Sequence, residues 1–295
     1  KSKRFRIKAG NRVILLKRII KAVQLYEFIK TVLKQEVISD KVVLYSYWLN
    51  TGAHAAALFP DTRFIKIARA HGSDIYEEKS PSGFLPLLNY CTMNLDSVFF
   101  VSDDGCNYFR SKYTGANASL AVSRLGVRSG EVRLTEKDGK DRFVIVSCSN
   151  IIPLKRIDLL IRALANVSYP GKIQWIHYGE GRLRDEMVDL ASAELGNKNN
   201  IEYEFRGQVP NDQIMKFYSE NSVDLFINTS LTEGLPVSIM EAQIHGIPAI
   251  ATDVGGVREL VTQETGKLLP AEVTIPELAS AIEEFMSLPP EEYRR

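Results

Sequence analysis

The sequence predicts an α/β protein built on parallel sheets, and three observations carry that prediction. Apolar runs of strand length, among them 41–48 (KVVLYSYW), 143–148 (FVIVSC) and 172–178, alternate along the chain with stretches of helical spacing. The alternation occurs twice, on either side of 125–142, a charged, glycine-containing stretch without an apolar period, which reads as a linker. With 45% hydrophobic and 25% charged residues, the 295-residue chain can bury a core for about two domains. The division is expected near residue 138, giving 1–138 with the linker and 139–295.

Composition narrows the classes of function. A net charge of +1 gives no general attraction to nucleic acid. Cys91, Cys106 and Cys148 are odd in number and scattered, which fits a reducing compartment and neither a disulfide framework nor a zinc site. No apolar run approaches the roughly 18 residues of a membrane span and no leader peptide is visible, so a cytoplasmic protein is expected. Lys1, Lys3, Arg4, Arg6, Lys8, Arg12, Lys17, Arg18 and Lys21 precede the first acidic residue, Glu27, and alternate with Val13, Ile14, Leu15, Leu16, Ile19, Ile20 and Val23. A basic helix with an apolar side over 1–23 can lie on an anionic membrane surface or pack on its own domain, and both readings stay open.

The elements follow in order. In the first half, strands at 41–48, 63–70, 97–101 and 118–122 alternate with helices at 51–59, 86–95 and 103–113. In the second, strands at 143–148, 172–178, 201–205, 224–228, 247–251 and 266–269 alternate with helices at 157–165, 183–195, 237–245 and 275–288, and Pro210 opens one more helix. Ligands of such sheets bind beyond the carboxyl ends of the strands. Attention therefore falls on the loops there.

The stretch 224–260 is the most informative. Pro236 suits a first helical position, leaving the amides of Gly234, Leu235 and Val237 to face an anion at the helix start. Glu233 lies before that helix, and Glu241 shares a helical face with Val237. Two carboxylates that accept hydrogen bonds from hydroxyls thus flank one phosphate site, a pattern suited to a sugar nucleotide. At the end of 63–70, His71, Gly72 and Asp74 place a histidine that can donate to a phosphate or hydroxyl, with Asp74 orienting its neighbours. His54, among Ala53, Ala55, Ala56 and Ala57, reads as structural. Lys155 stands near a helix start as a mobile positive charge. The Gly179, Glu180, Gly181 turn allows a ligand ring to approach the backbone.

The segment EGLPVSIME, with Glu233 and Glu241 as an E-x7-E pair and GIPAIATDVGG after it, resembles the retaining glycosyltransferases of family 4. The resemblance implies the GT-B architecture, in which two Rossmann-like domains face across a cleft and the second holds the donor. It implies that Glu241 binds ribose hydroxyls and Glu233 sugar hydroxyls. Lys155 and the amides of Gly234, Leu235 and Val237 stabilise the leaving diphosphate, and His71 contacts the transferred sugar or its phosphate. Asn150 stands where the family pattern has an arginine, so Arg156, a residue of the other domain, or Lys155 with amides must supply the missing charge. Arg206 and Val209 fall in the loop that touches the nucleobase, and Gly179 and Gly181 in the donor loop.

The expected reaction moves a sugar from a nucleotide diphosphate, UDP in the first instance, to a cell-surface glycan or lipid-linked acceptor. No cofactor and no metal site are expected: the adjacent Asp103 and Asp104 lie ahead of a helix in poor geometry. The protein is placed in the cytoplasm or peripherally on the inner face of the plasma membrane, and no nucleic-acid partner is expected. The family also implies further N-terminal strands with a glycine-rich acceptor loop and a final helix beyond residue 295, so the chain reads as a fragment. A sugar-nucleotide epimerase and a non-catalytic nucleotide-binding subunit remain as alternatives.

Overall fold

The computed structural model describes residues 8–35, 41–60, 63–80, 82–128 and 142–288. The chain divides into two compact units, Lys1–Leu125 and Gly126–Arg295. Most of the predicted linker, 129–141, lies outside the described residues, as do residues 1–7 of the basic stretch.

The first unit carries a four-stranded parallel sheet in the order β1-β2-β3-β4, formed by Val42–Ser46, Phe64–Ala70, Ser97–Phe100 and Ser119–Val122. Side chains alternate across it. Ala68, Ala70, Val98 and Phe100 point into a core shared with α2 (Thr51–Ala56), α3 (Leu88–Asn94) and α4 (Asp103–Lys112). On the opposite side Val43, Tyr45 and Ile65 are exposed. The helix α2 starts where Asn50 accepts a hydrogen bond from the Gly52 amide, and Ser102 does the same for Gly105 in α4.

The basic stretch forms α1, Ala9–Gln35, about 40 Å long at 1.5 Å per residue. One side packs on the unit, through Arg18 to the Thr51 hydroxyl at 3.2 Å, the Tyr26 ring on Phe59 and buried Ala22. Val13, Leu16, Ile20, Val23 and Phe28 remain exposed on the rest. Packing on its own domain, one of the two readings of this helix, is therefore observed, and an apolar surface is left over. No helix among the described residues is long and apolar enough to cross a membrane.

The second unit has a six-stranded parallel sheet in the order β10-β9-β8-β5-β6-β7. Its strands are β5 (Arg142–Cys148), β6 (Lys172–Tyr178), β7 (Ile201–Gly207), β8 (Leu225–Asn228), β9 (Ala249–Thr252) and β10 (Gly266–Leu269). The inner strands β8 and β9 are buried throughout, as their unbroken apolar runs require when both sheet faces are covered. Ile145, Trp175, Leu225, Ile227 and Ile250 face a core shared with α5 (Ile157–Asn166), α6 (Arg184–Leu195) and α9 (Ile275–Ser287). The alternate residues Val146, Ile176, Phe226 and Ala251 face α7 (Asn211–Glu220) and α8 (Val237–Gln243). Trp175 is completely buried, worth about 2–3 kcal/mol of transfer free energy for a side chain of this size.

Two boundaries differ from the sequence reading for local reasons. The strand expected from Ile247 starts at Ala249, because the Ile247 amide donates back to the Ala242 carbonyl at the end of α8 and Pro248 has no N–H to give the ladder. Lys155 lies in a short 3-10 turn, Pro153–Lys155, and Arg156, in the left-handed conformation at φ 48°, separates that turn from α5.

Candidate donor site

A cavity of about 380 Å³ opens in the second unit at the carboxyl ends of β5, β6, β7 and β8. The chain reverses its direction of winding there: β5 has β6 on one side and β8 on the other, the crevice in which open α/β sheets bind ligands. Cys148, Ser149 and Asn150 line it from β5, Lys155 from the following turn, Tyr178, Gly179 and Glu180 from β6, and Gln208 and Val209 from β7. The remaining wall is Ile214 of α7 with Glu233, Leu235, Pro236, Val237 and Ser238 at the start of α8.

Hydrogen bonds between loops far apart in sequence set this geometry. The Thr229 hydroxyl donates to the carbonyls of Lys155 and Arg156, at 2.8 and 3.0 Å. The Arg156 guanidinium donates back to the Thr229 carbonyl at 2.7 Å, and the Leu231 amide to the Leu154 carbonyl at 2.8 Å. These bonds bring the Lys155 ammonium to 2.5 Å from the Glu233 carboxylate, whose same oxygen also accepts from Asn228 at 3.2 Å. Arg156 holds the neighbouring loop through its Nε and does not line the cavity, and burial holds its pKa below the usual range. Lys155 is the cation at this wall.

The glycines also serve the packing of the loops. Gly179 has φ 142°, and a Cβ there would stand 1.9 Å from the Ser149 carbonyl; one on Gly181 would stand 2.3 Å from that of Ile151. Both are needed because the β5 and β6 loops touch backbone to backbone, with Gly179 also lining the cavity. Gly255, at φ 56°, presses against the Glu233 carbonyl in the same way, while the Gly256 amide donates to the Gly234 carbonyl at 2.8 Å. The GG turn is thus a clasp on the Glu233 loop.

Pro236 is the residue before α8 rather than its first residue, and Val237 begins the helix. The Ile239 amide already donates to the Pro236 carbonyl, so the amides of Val237 and Ser238 are those presented at the helix start. Glu241, one turn on, accepts from the Asn211 side chain at 2.7 Å. Burial raises its pKa, opposed by that hydrogen bond. Burial likewise pushes the Cys148 thiol up to about 11, which makes it inert at neutral pH. Arg206 donates to the Tyr178 hydroxyl at 2.6 Å, and its guanidinium lies over the Phe217 ring. It supports the Tyr178 wall from behind.

In the first unit, His71 follows β2 and is 8% exposed, with its ring against Trp48 and Tyr47. Asp74 accepts from the His71 amide at 2.5 Å and from the Leu49 amide at 2.8 Å, so one buried carboxylate ties two loops together. Burial, then Arg69, lowers the His71 pKa to about 4; burial raises that of Asp74 to about 7 against backbone hydrogen bonds from Leu49, His71 and its own amide. His54 is buried and lowered to about 4, first by burial and then by Arg18. Asp103 and Asp104 are engaged by Arg124 and by the Tyr76 hydroxyl.

The structure thus gathers Asn150, Lys155, Gly179, Val209, Glu233, Leu235 and Val237 at one cavity, while Gly181, Arg206, Gly234 and Glu241 stand outside its lining. Sequence reasoning missed Tyr178, Gln208, Ser238, Asn228 and Asn211. Tyr178, Gln208 and Asn228 end or follow predicted strands and Ser238 stands at the start of a predicted helix, a positional signal that was available. Asn211 meets Glu241 across 30 residues, and nothing local announces it.

The family profile for glycosyl transferases group 1 matches residues 132–295. Among curated proteins, the chain is 26% identical over 129 residues to the GPI3 subunit of the Saccharomyces cerevisiae phosphatidylinositol N-acetylglucosaminyltransferase, covering 43% of this chain and 27% of that one. It spans about a third or less of the length of the first curated relatives it matches. Among solved structures, it superposes on the lipopolysaccharide outer core galactosyltransferase WaaB with TM-score 0.66 at 17% identity, over 94% of this chain and 72% of WaaB. Anabaena HepE, solved with UDP and glucose, matches with TM-score 0.66 at 22% identity over 85% of this chain and 70% of HepE. These likenesses show the GT-B fold.

Proposed function

We propose that this chain, which belongs to the glycosyl transferases group 1 family, holds the nucleotide-sugar site of a family 4 enzyme that transfers a sugar with retention of anomeric configuration. The observation that carries the reading is the meeting of Lys155 and Glu233 on the wall of a cavity whose floor is the start of α8. A diphosphate entering there brings negative charge to the Lys155 ammonium and to the amides of Val237 and Ser238. Glu233, relieved of its partner, turns to the hydroxyls of the donor sugar. Glu241, steadied by Asn211, takes the ribose hydroxyls, and the loop at Gln208 and Val209 takes the base.

As the bond to the sugar breaks, charge grows on the leaving diphosphate where Lys155 and the amides already point. Such preorganised electrostatics supplies a large share of catalysis without reorganisation. His71 contributes an uncharged ring nitrogen toward a sugar hydroxyl, with Asp74 as its positioning residue. UDP is the nucleotide we assign, in line with the UDP found in HepE. The lipid-linked or cell-surface acceptor is in line with the name of the GPI3 relative. No cofactor takes part and the transfer needs no metal, so turnover persists in EDTA. The exposed apolar residues of α1, interleaved with Lys17 and Lys21, suit contact with an anionic membrane surface, and the cytoplasmic face is the one we assign.

Calorimetric titration with UDP tests the site. Binding is expected, and Glu241→Ala weakens it by about 1–3 kcal/mol, the range for a lost buried partner. A folded chain that binds no nucleotide, or binds equally well in the variant, overturns the assignment.

A further inference from the structure

We propose that Trp175, Ser147 and His177 form a buried positioning set that turns the peptide between Ser149 and Asn150 so that the Asn150 amide faces the donor's diphosphate. A backbone donor then serves where position 150 has no arginine. The inference rests on the reading of the cavity as a nucleotide-sugar site and adds residues that neither the motifs nor the cavity lining contain. Ser147 and His177 are paired in register on β5 and β6, and with Trp175 they are buried, none more than 2% exposed.

Chemistry fixes the direction of every hydrogen bond in the set. The Trp175 Nε1–H can only donate, and it does so to the Ser147 hydroxyl oxygen at 2.9 Å. At the other end the Ser149 carbonyl can only accept, so the His177 Nε2, at 3.2 Å, carries the proton. Burial lowers the His177 pKa to about 4, so the ring holds one proton at neutral pH. Its Nδ1 is left to accept from the Ser147 hydroxyl at 2.8 Å. The chain from indole to carbonyl is complete, and it allows one tautomer. A buried polar network satisfied in this way is rigid.

The consequence lies at the other end of the same peptide. In a trans, planar peptide the carbonyl and the next N–H point in opposite directions, and no cis bond occurs among the described residues. With the Ser149 carbonyl held toward the buried ring, the Asn150 N–H points away from it. The neighbouring amides are committed: Ser149 donates to the Tyr178 carbonyl at 3.0 Å, Ile151 to that of Glu180 at 2.9 Å and Ile152 to that of Asn150 at 3.0 Å. Of these four amides, that of Asn150 alone has no acceptor among the described residues, and Asn150 lines the cavity together with Lys155, Val237 and Ser238. A free amide beside an ammonium and a helix start is a donor for an anion.

NMR of the isotope-labelled full chain tests the set. The ring spectrum is expected to show His177 as the Nε2–H tautomer. The Asn150 amide resonance is expected to move with inorganic pyrophosphate or UDP and to stay in place with uridine. In calorimetry His177→Leu, which removes the donor to Ser149, is expected to weaken UDP on the order of tenfold, as for a lost hydrogen bond to a charged group, with uridine unchanged. His177→Gln, whose side-chain amide can reach the same carbonyl, recovers most of that loss. An Asn150 amide that neither anion moves overturns the inference, as does a His177→Leu chain that binds UDP as before or loses UDP and uridine alike. Should His177→Leu fail to fold, Ser147→Ala decides: it is expected to mix the two tautomers and weaken UDP but not uridine, and unchanged UDP affinity there overturns the positioning role. Where pyrophosphate moves the Asn150 amide and UDP does not bind, the amide site stands and the nucleotide reading falls. Where UDP binds and the amide stays still, the nucleotide reading stands and the inference falls.

Discussion

The two units place their chemistry in the same kind of position, at the carboxyl ends of parallel strands, and secure it by opposite means. In the first, the loops after β1 and β2 depend on one buried carboxylate, Asp74, which accepts from both Leu49 and His71. In the second, the loops after β5 and β8 are joined by four hydrogen bonds between 154–156 and 229–231, with the Gly255–Gly256 clasp added from β9. A single anchor concentrates risk in one residue. A distributed seam lets each member be lost cheaply.

The contrast is measurable because Trp48 follows unfolding of the first unit and Trp175 that of the second. The largest effect is expected from Asp74→Ala, which leaves two backbone donors without their acceptor and lowers the stability of the first unit by about 3 kcal/mol or more. Urea titration should show the Trp48 transition moving to lower denaturant with the Trp175 transition in place. A common shift of both would mean that the units do not unfold separately, and no shift would remove Asp74 as the anchor.

Acid sharpens the comparison. His54 and His71 in the first unit and His177 in the second are all lowered to about 4, chiefly by burial. Each native pKa lies below the unfolded value, so the stability contributed is complete above about pH 6.5 and is lost as pH falls toward 4, at about 1.4 kcal/mol per pH unit for each proton. Asp74 works the other way. Its native pKa, raised to about 7, lies above the unfolded value, so its burial favours the fold at low pH and the advantage disappears as pH rises through that range. Asp74 thus cancels one histidine in the first unit. Asp74→Asn should make the Trp48 transition the more acid-sensitive of the two, and equal slopes in that variant would refute the assignment.

The smallest effect belongs to the seam. Thr229→Val removes a hydroxyl that donates to two carbonyls, and is expected to cost the second unit about 1 kcal/mol, visible in the Trp175 transition alone. A loss several times larger would show that Thr229 is an anchor like Asp74.

Most elements were legible because strands with both faces covered read as unbroken apolar runs: FVIVSC, LFIN and AIAT are β5, β8 and β9. Site residues on the strand ends and at the start of α8 were legible for the same reason, since loop position follows from strand position. The reasons assigned to some residues were not. Gly179 and Gly181 read as room for a ligand, and only the structure shows that a Cβ on either would strike the backbone of Ser149 or Ile151. Arg156 read as a spare cation, and only the structure shows its Nε donating to the carbonyl of Thr229, a residue 73 positions away.

The sequence by itself determined the two-unit α/β organisation, the parallel sheets and the E-x7-E pair at the start of α8, because each depends on periodicity or spacing within a short window. Only the tertiary structure decided that Lys155 meets Glu233, that Asn211 steadies Glu241, and that Tyr47 and Trp48 stand exposed beside the buried His71 ring. The physical reason is common to all three. A hydrogen bond or ring contact acts over a few ångströms between residues 23 to 78 positions apart, and the path of the chain through its loops decides which residues come within that range.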